Sequence, residues 1–369
     1  MKSNQTKRLH RRGVCRLLGA LTIVLFVTAA SAAEKNNGLP DPDGQPADLS
    51  KPVQVFLIMG QSNTLEMGKV AGDTDGTLEH AVKSAGLYPF MVDDSGEWTV
   101  RKDVRNVHSQ GSGGPGGKGG IKRNDWLTVS GGKIGIEQGI GHHLGTAIDA
   151  PVLILKSSIG NRSLGWDLLP PASPSYEFTD PKDGKTYVYA GYGQSPDRWE
   201  KGTEPVPIGW QAGLQYDGDV ARAQDVLSTL GDYYPGATQY EVAGFFWWQG
   251  DKDRYNPGHA QKYEENLVNL IKALRKAFDA PEAKFVCATL GQTDKDNASG
   301  TEKNIIDAQF AISDPGTHPE LNGNVATVYT HPLSKGGASN SHYNGNAETY
   351  MNVGLSMGKA MVELLKGDE

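Results

Sequence analysis

Val53-Gln54-Val55-Phe56-Leu57-Ile58-Met59-Gly60-Gln61-Ser62-Asn63 is the stretch on which the fold turns. Its first seven residues are almost wholly apolar and rich in β-branched side chains. Such a run has no solvent face, which suits a buried parallel strand. Similar runs recur at Val152–Leu155, Val242–Trp248, Phe285–Leu290 and Val325–Tyr329. Helical spacing falls between them, at Val220–Leu230, Tyr263–Phe278 and Thr349–Leu365; the second places Leu267, Leu270, Ile271, Leu274 and Phe278 on one face. Strands alternating with helices predict an α/β fold, a doubly wound, flavodoxin-like parallel sheet with helices on both faces.

Outward from this core the chain changes character. Residues 1–32 carry Lys2, Lys7, Arg8, Arg11, Arg12 and Arg16, then an apolar run from Leu17 to Ala30 and an Ala30-Ser31-Ala32 ending. That is the layout of a cleavable signal peptide, and the run is short for a membrane span. A secreted or periplasmic protein with no membrane attachment after cleavage is expected. Residues 33–51, rich in Pro, Gly, Asp and Asn, read as a flexible leader, and residues 52–367 as the folded domain. Two stretches, 104–125 with its Gly-rich segment and 166–211, read as long loops. Losing the basic start leaves 30 basic against 43 acidic residues, a balance of −13. Such a chain is poorly suited to nucleic acid or anionic lipid. Cys15 leaves with the signal, and Cys287 sits in an apolar run as a buried, unreactive thiol.

Three blocks carry chemistry. Ser62 follows a strand and a glycine, where open parallel sheets bind ligands. It is well sited as a nucleophile, although on position alone a Ser there more often caps a helix. The block Trp247-Trp248-Gln249-Gly250-Asp251-Lys252-Asp253 ends another strand. Gln249 offers a side-chain N–H to an oxyanion, or simply a polar end to an aromatic strand. His342, in Ser341-His342-Tyr343-Asn344, reads alone as a surface-loop histidine as readily as a general base.

Together these blocks resemble the SGNH hydrolases of the sialate O-acetylesterase and carbohydrate esterase family 6 type. The opening G-Q-S-N block is matched by Gly60-Gln61-Ser62-Asn63, the W-x-Q-G-E block by Trp247–Asp251 with Asp for Glu, and the final His block by His342-Tyr343-Asn344. A looser match places Ser158-Ile159-Gly160-Asn161-Arg162-Ser163 at the family's Gly segment. The resemblance implies the SGNH hydrolase fold, Ser62 as nucleophile and His342 as base. It also implies an oxyanion hole from the Ser62 and Gly160 N–H groups with the Gln249 side chain, acting on acetylated carbohydrate. Many such enzymes carry an Asp three residues before the His, where this chain has Ser339. Asp251 is then the first candidate for the third catalytic residue; alternatively it holds the Gln249 loop, and a main-chain carbonyl orients His342 in a dyad.

Other patterns carry less. Ser130-Gly131-Gly132-Lys133 has S-x-x-K spacing, but two glycines oppose the helix that chemistry needs. Adjacent His142 and His143 diverge on a helix and make a poor metal pair. No metal or cofactor is expected. Trp166, Tyr189, Tyr192, Trp199 and Trp210 in the 166–211 stretch either stack on sugar rings or anchor the loop. Two other functions compete: a carbohydrate-binding protein on a retained hydrolase scaffold, favoured by the missing Asp, and a lipid esterase, disfavoured by so polar a loop.

Overall fold

A computed structural model describes residues 39–367. The signal peptide read at residues 1–32 lies outside the described residues, as does the start of the leader. Strand β1 (Val53–Gly60) is the axis of the fold. Val55, Leu57 and Met59 point into one apolar cluster and Phe56 and Ile58 into another, so the strand is buried on both faces. Around it stand β2 (Arg101–Gly111), β3 (Gly119–Leu127), β4 (Val152–Ser157), β5 (Tyr240–Trp248), β6 (Lys284–Ala288) and β7 (Val325–Val328). The sheet order is β7-β6-β5-β1-β4-β2-β3, parallel except for β3. Without the β2–β3 hairpin this is the doubly wound order, with its switch point at β1.

Helices cover both faces. α2 (Leu214–Ser228), α3 (Tyr263–Ala277) and α4 (Gly300–Ala311) pack against the first cluster. α1 (Glu137–Ala147) and α5 (Ala347–Lys366) pack against the second, through Ile140 and Leu144 and through Tyr350, Val353, Met357 and Met361. α3 buries the predicted stripe of Leu267, Leu270, Ile271 and Leu274. Phe278 falls just past its end, 5.9 Å from the Phe245 ring.

Residues 104–125, expected as a loop, instead belong to the β2–β3 hairpin, and the Gly-rich segment spans its turn. The strand signal was hidden because β2 buries polar residues and gives them local partners. Arg101 pairs with Asp103 at 2.5 Å, and Arg105 donates to Asn124 O at 2.8 Å while lying over Trp126. The 166–211 stretch is an excursion containing a small antiparallel sheet of Tyr176–Thr179, Thr186–Tyr189 and Arg198–Glu200. Two hydrogen bonds close its base, Gly213 N to Trp166 O at 2.8 Å and Gln215 N to Asp167 O at 3.0 Å.

Candidate active site

The expected residues gather where β1, β4 and β5 end. Gly60 has φ +142°, and a Cβ there would stand 2.6 Å from Trp248 O. Only glycine lets β1 turn so close to β5. Ser62 then opens a single helical turn, Ser62–Thr64, closed by Thr64 N to Gln61 O (2.9 Å) and Leu65 N to Ser62 O (3.0 Å). The first N–H groups of such a turn have no partner within it. Thr64 Oγ1 lies 2.8 Å from Ser158 Oγ, tying the turn to the end of β4. Any side chain at position 160 would put its Cβ 3.3 Å from Ser62 Cβ. Gly160 therefore brings its backbone beside the nucleophile.

His342 lies in the Ser339–Gly345 segment, which packs against the Ser62 turn. Its backbone is left-handed (φ 52°), as are those of Tyr343 (φ 52°) and Asn344 (φ 53°). Tyr343 is buried, stacked on Trp248 with ring centroids 5.7 Å apart. The structure brings Ser62, Gly160 and the His342 segment together. It does not hydrogen-bond the His342 ring to Ser62 Oγ or to Asp251 among the described residues. Before substrate binds, catalytic hydrogen bonds are often long or unmade.

Gln249 is fully buried with its amide fully engaged. Nε2 donates to Arg162 O (2.9 Å) and to Asp253 Oδ2 (2.5 Å), and Oε1 accepts from Tyr263 OH (2.9 Å). Both amide hydrogens are therefore spent inside the protein. Asp251 Oδ1 accepts from Ser339 Oγ at 2.8 Å and from Arg254 Nε at 2.8 Å. The residue in the usual acid position thus meets this carboxylate instead of replacing it. Asp253, which the motif reading passed over, accepts from Leu164 N (2.9 Å) and Gly165 N (2.8 Å). Burial pushes its carboxyl pKa up, outweighing His259 and these donors. The sequence showed two carboxylates after Gln249, but their spacing alone does not tell which loop each one holds.

Beneath the Ser62 turn lies a buried ionic cluster. Lys156 Nζ is 2.8 Å from both Glu66 Oε1 and Glu137 Oε2, and His108 Nδ1 is 3.4 Å from Glu66 Oε2. Burial alone would raise the Glu66 carboxyl, yet Lys156 and His108 hold it well below the ordinary range. The cluster fixes the chain just past the nucleophile to β4 and α1.

Residues 188–363, just under half of the chain, match the family model described as carbohydrate esterase, sialic acid-specific acetylesterase. Over these residues the chain is similar to the sialic acid-specific acetylesterases. The matched part includes the Gln249–Asp253 turn and His342, while Ser62 and Gly160 precede it. No curated protein sequence matches the chain. Solved structures similar to it include a protein from Arabidopsis thaliana, 15% identical, covering 84% of this chain and 98% of that one at TM-score 0.45. A carbohydrate acetylesterase from Xanthomonas citri is 15% identical over 83% of this chain and 55% of that one, TM-score 0.47. NanS is 14% identical over 89% and 99%, TM-score 0.45.

Proposed function

We propose that this carbohydrate esterase is an exported serine enzyme that removes O-acetyl groups from a sugar through an acyl-enzyme on Ser62. The observation that carries the reading is the meeting of Ser62, the Gly160 backbone and the His342 segment at the switch point of the sheet. Ser62 Oγ attacks the acetyl carbonyl while His342 takes its proton. The Ser62 and Gly160 N–H groups hold the tetrahedral oxyanion. The C–O bond to the sugar breaks, and His342 returns the proton to the departing hydroxyl. Water, deprotonated by His342, then attacks the acetyl-Ser62 carbonyl; the bond from that carbon to Ser62 Oγ breaks, His342 returns the proton to Ser62, and acetate leaves. In the resting arrangement Gln249 serves this centre indirectly, by fixing the carbonyl of Arg162, two residues past Gly160. Export rests on the layout of residues 1–32, with cleavage after Ala32.

Acetate release from a panel of O-acetylated sugars, alongside p-nitrophenyl acetate, butyrate and octanoate, tests the reading. Ser62→Ala and His342→Ala should abolish turnover while leaving thermal unfolding unchanged. Undiminished hydrolysis by folded Ser62→Ala refutes the acyl-enzyme. Sugar binding without acetate release by the wild type points to the binding protein instead. N-terminal sequencing of exported material should begin at Ala33, and an intact Met1 end in the cytoplasm refutes export.

A further inference from the structure

We infer that the Gln249–Asp253 turn is a positioning hub for the whole site, and that within it Asp251 acts on His342 through Ser339. The inference rests on the proposed Ser62–His342 chemistry and concerns what holds those two groups in register.

The hub is visible in its bonds. Lys252 N donates to Gln61 Oε1 at 3.2 Å, reaching the residue before the nucleophile. Gln249 Nε2 donates to Arg162 O at 2.9 Å, and Asp253 accepts from the N–H groups of Leu164 (2.9 Å) and Gly165 (2.8 Å), reaching the loop that carries Gly160. Asp251 accepts from Ser339 Oγ at 2.8 Å, reaching the segment that carries the base. The residue before the nucleophile, the oxyanion loop and the segment that carries the base are thus each bonded to one short turn at the end of β5. That turn is itself fixed: Tyr263 OH donates to Gln249 O (3.0 Å), and so does Gln309 Nε2 (2.8 Å).

The base arm needs such an anchor most. His342, Tyr343 and Asn344 are consecutive residues other than glycine with left-handed backbones. That conformation costs energy at each of them and persists only where the surroundings over-determine it. Downstream, Tyr343 is clamped between Trp248 and Tyr350, with centroids 5.7 and 6.2 Å away. Upstream the side-chain anchor is Ser339, only 1% exposed, on Asp251. Asp251 is braced in turn by Arg254 at 2.8 Å, and Arg254 by Glu302 of α4 at 2.6 Å. Because Ser339 spends its proton on Asp251 and the imidazole bonds to neither, the pair sets where the ring stands without stabilising its charge. This makes Ser339 and Asp251 positioning residues.

The test uses full-length Ser339→Ala, Asp251→Asn, their double variant and Ser339→Thr. It measures kcat, KM, thermal unfolding and the pH dependence of kcat/KM on p-nitrophenyl acetate. A buried hydrogen bond to a charged group predicts a kcat loss of about 10–100-fold in each single variant, with KM unchanged. The double variant should be no worse than the poorer single, because both remove one contact. Ser339→Thr, which keeps the hydroxyl, should recover kcat to within a few-fold. The inflection from His342 should stay in place in all four variants. If Asp251→Asn loses about 10⁴ in kcat and moves that inflection to lower pH while Ser339→Ala is near normal, Asp251 pairs with His342 directly and the route through Ser339 is overturned. Normal kcat in both single variants, with Ser62→Ala and His342→Ala inactive, overturns the anchor alone. Undiminished turnover in Ser62→Ala overturns the underlying dyad as well.

Discussion

Replacing Gln249 with Ala separates two roles for its amide. As a resident brace, Gln249 is bound at every polar atom and has no exposed surface. Its loss strips one donor from the buried Asp253 carboxylate, a cost of about 1–3 kcal/mol. The emptied amide leaves a small void, adding roughly 1 kcal/mol at about 24 cal/mol per Å³. Arg162 is partly exposed, so its carbonyl has water as a substitute, and Tyr263 OH keeps Gln249 O at 3.0 Å. The sum is roughly 2–4 kcal/mol, or a fall in melting temperature of roughly 3–6 °C at about 2.1 cal/mol/K of unfolding entropy per residue. The kcat of the folded protein should fall by about tenfold or less, against about 10²–10³ for a lost oxyanion donor. Calorimetry beside acetate-release kinetics reads both numbers. An unchanged melting temperature with kcat down by about 10²–10³ would refute the brace and restore Gln249 to the oxyanion hole.

Three further outcomes follow from other buried groups. Lys156→Ala strands Glu66 and Glu137 without their cation and should destabilise the fold by about 3–5 kcal/mol; an unchanged denaturation midpoint would show that the cluster is dispensable. Burial pushes the Asp219 carboxyl up to about 7 from 3.8, outweighing Arg222. Its folded pKa lies above its unfolded one, so stability present below pH 4 is lost as pH rises towards 7, on the order of 4 kcal/mol. Urea midpoints from pH 4 to 8 should therefore fall more steeply in the wild type than in Asp219→Asn, and parallel curves would contradict this. Burial also pushes the Cys287 thiol far above its ordinary range. It should resist iodoacetamide in the native protein and react only after unfolding, so labelling of the folded chain would place it elsewhere.

What could be read from the sequence followed physical uniformity. The strands at residues 53, 152, 242, 285 and 325 are apolar on both faces, and α3 carries an uninterrupted stripe, so burial and period were written in residue type. The β2–β3 hairpin escaped because Arg101, Arg105, Asn106 and His108 are polar yet buried, and what Arg101, Arg105 and His108 meet (Thr146 on α1, Asn124 across the hairpin, Glu66 beyond the Ser62 turn) is far away in sequence or on another element. At the site, the positions of Ser62, Gly160 and His342 followed from strand ends and motif order. The bonds of Gln249 and Asp251 did not, because an amide or carboxylate beside three converging loops has several partners in reach. Spacing along one loop says nothing of which is taken. Ser339 looked like the loss of an acid, whereas the carboxylate it meets comes from a residue 88 positions earlier.

The excursion that leaves at Trp166 and returns at Gly213 is pinched shut at its neck, outside the sheet. Closing a longer loop costs only slightly more entropy than closing a shorter one. Beyond the neck the polypeptide meets the core through a few side chains: Tyr189 OH donates to Asn256 Oδ1 at 2.7 Å, and Asp197 meets His259 Nε2 at 2.8 Å. The excursion can therefore lengthen or shorten at its outer turns, provided Tyr189 and Asp197 still reach the segment that follows the Gln249–Asp253 turn. A scaffold built this way exchanges its outer surface while its chemistry stays where it is.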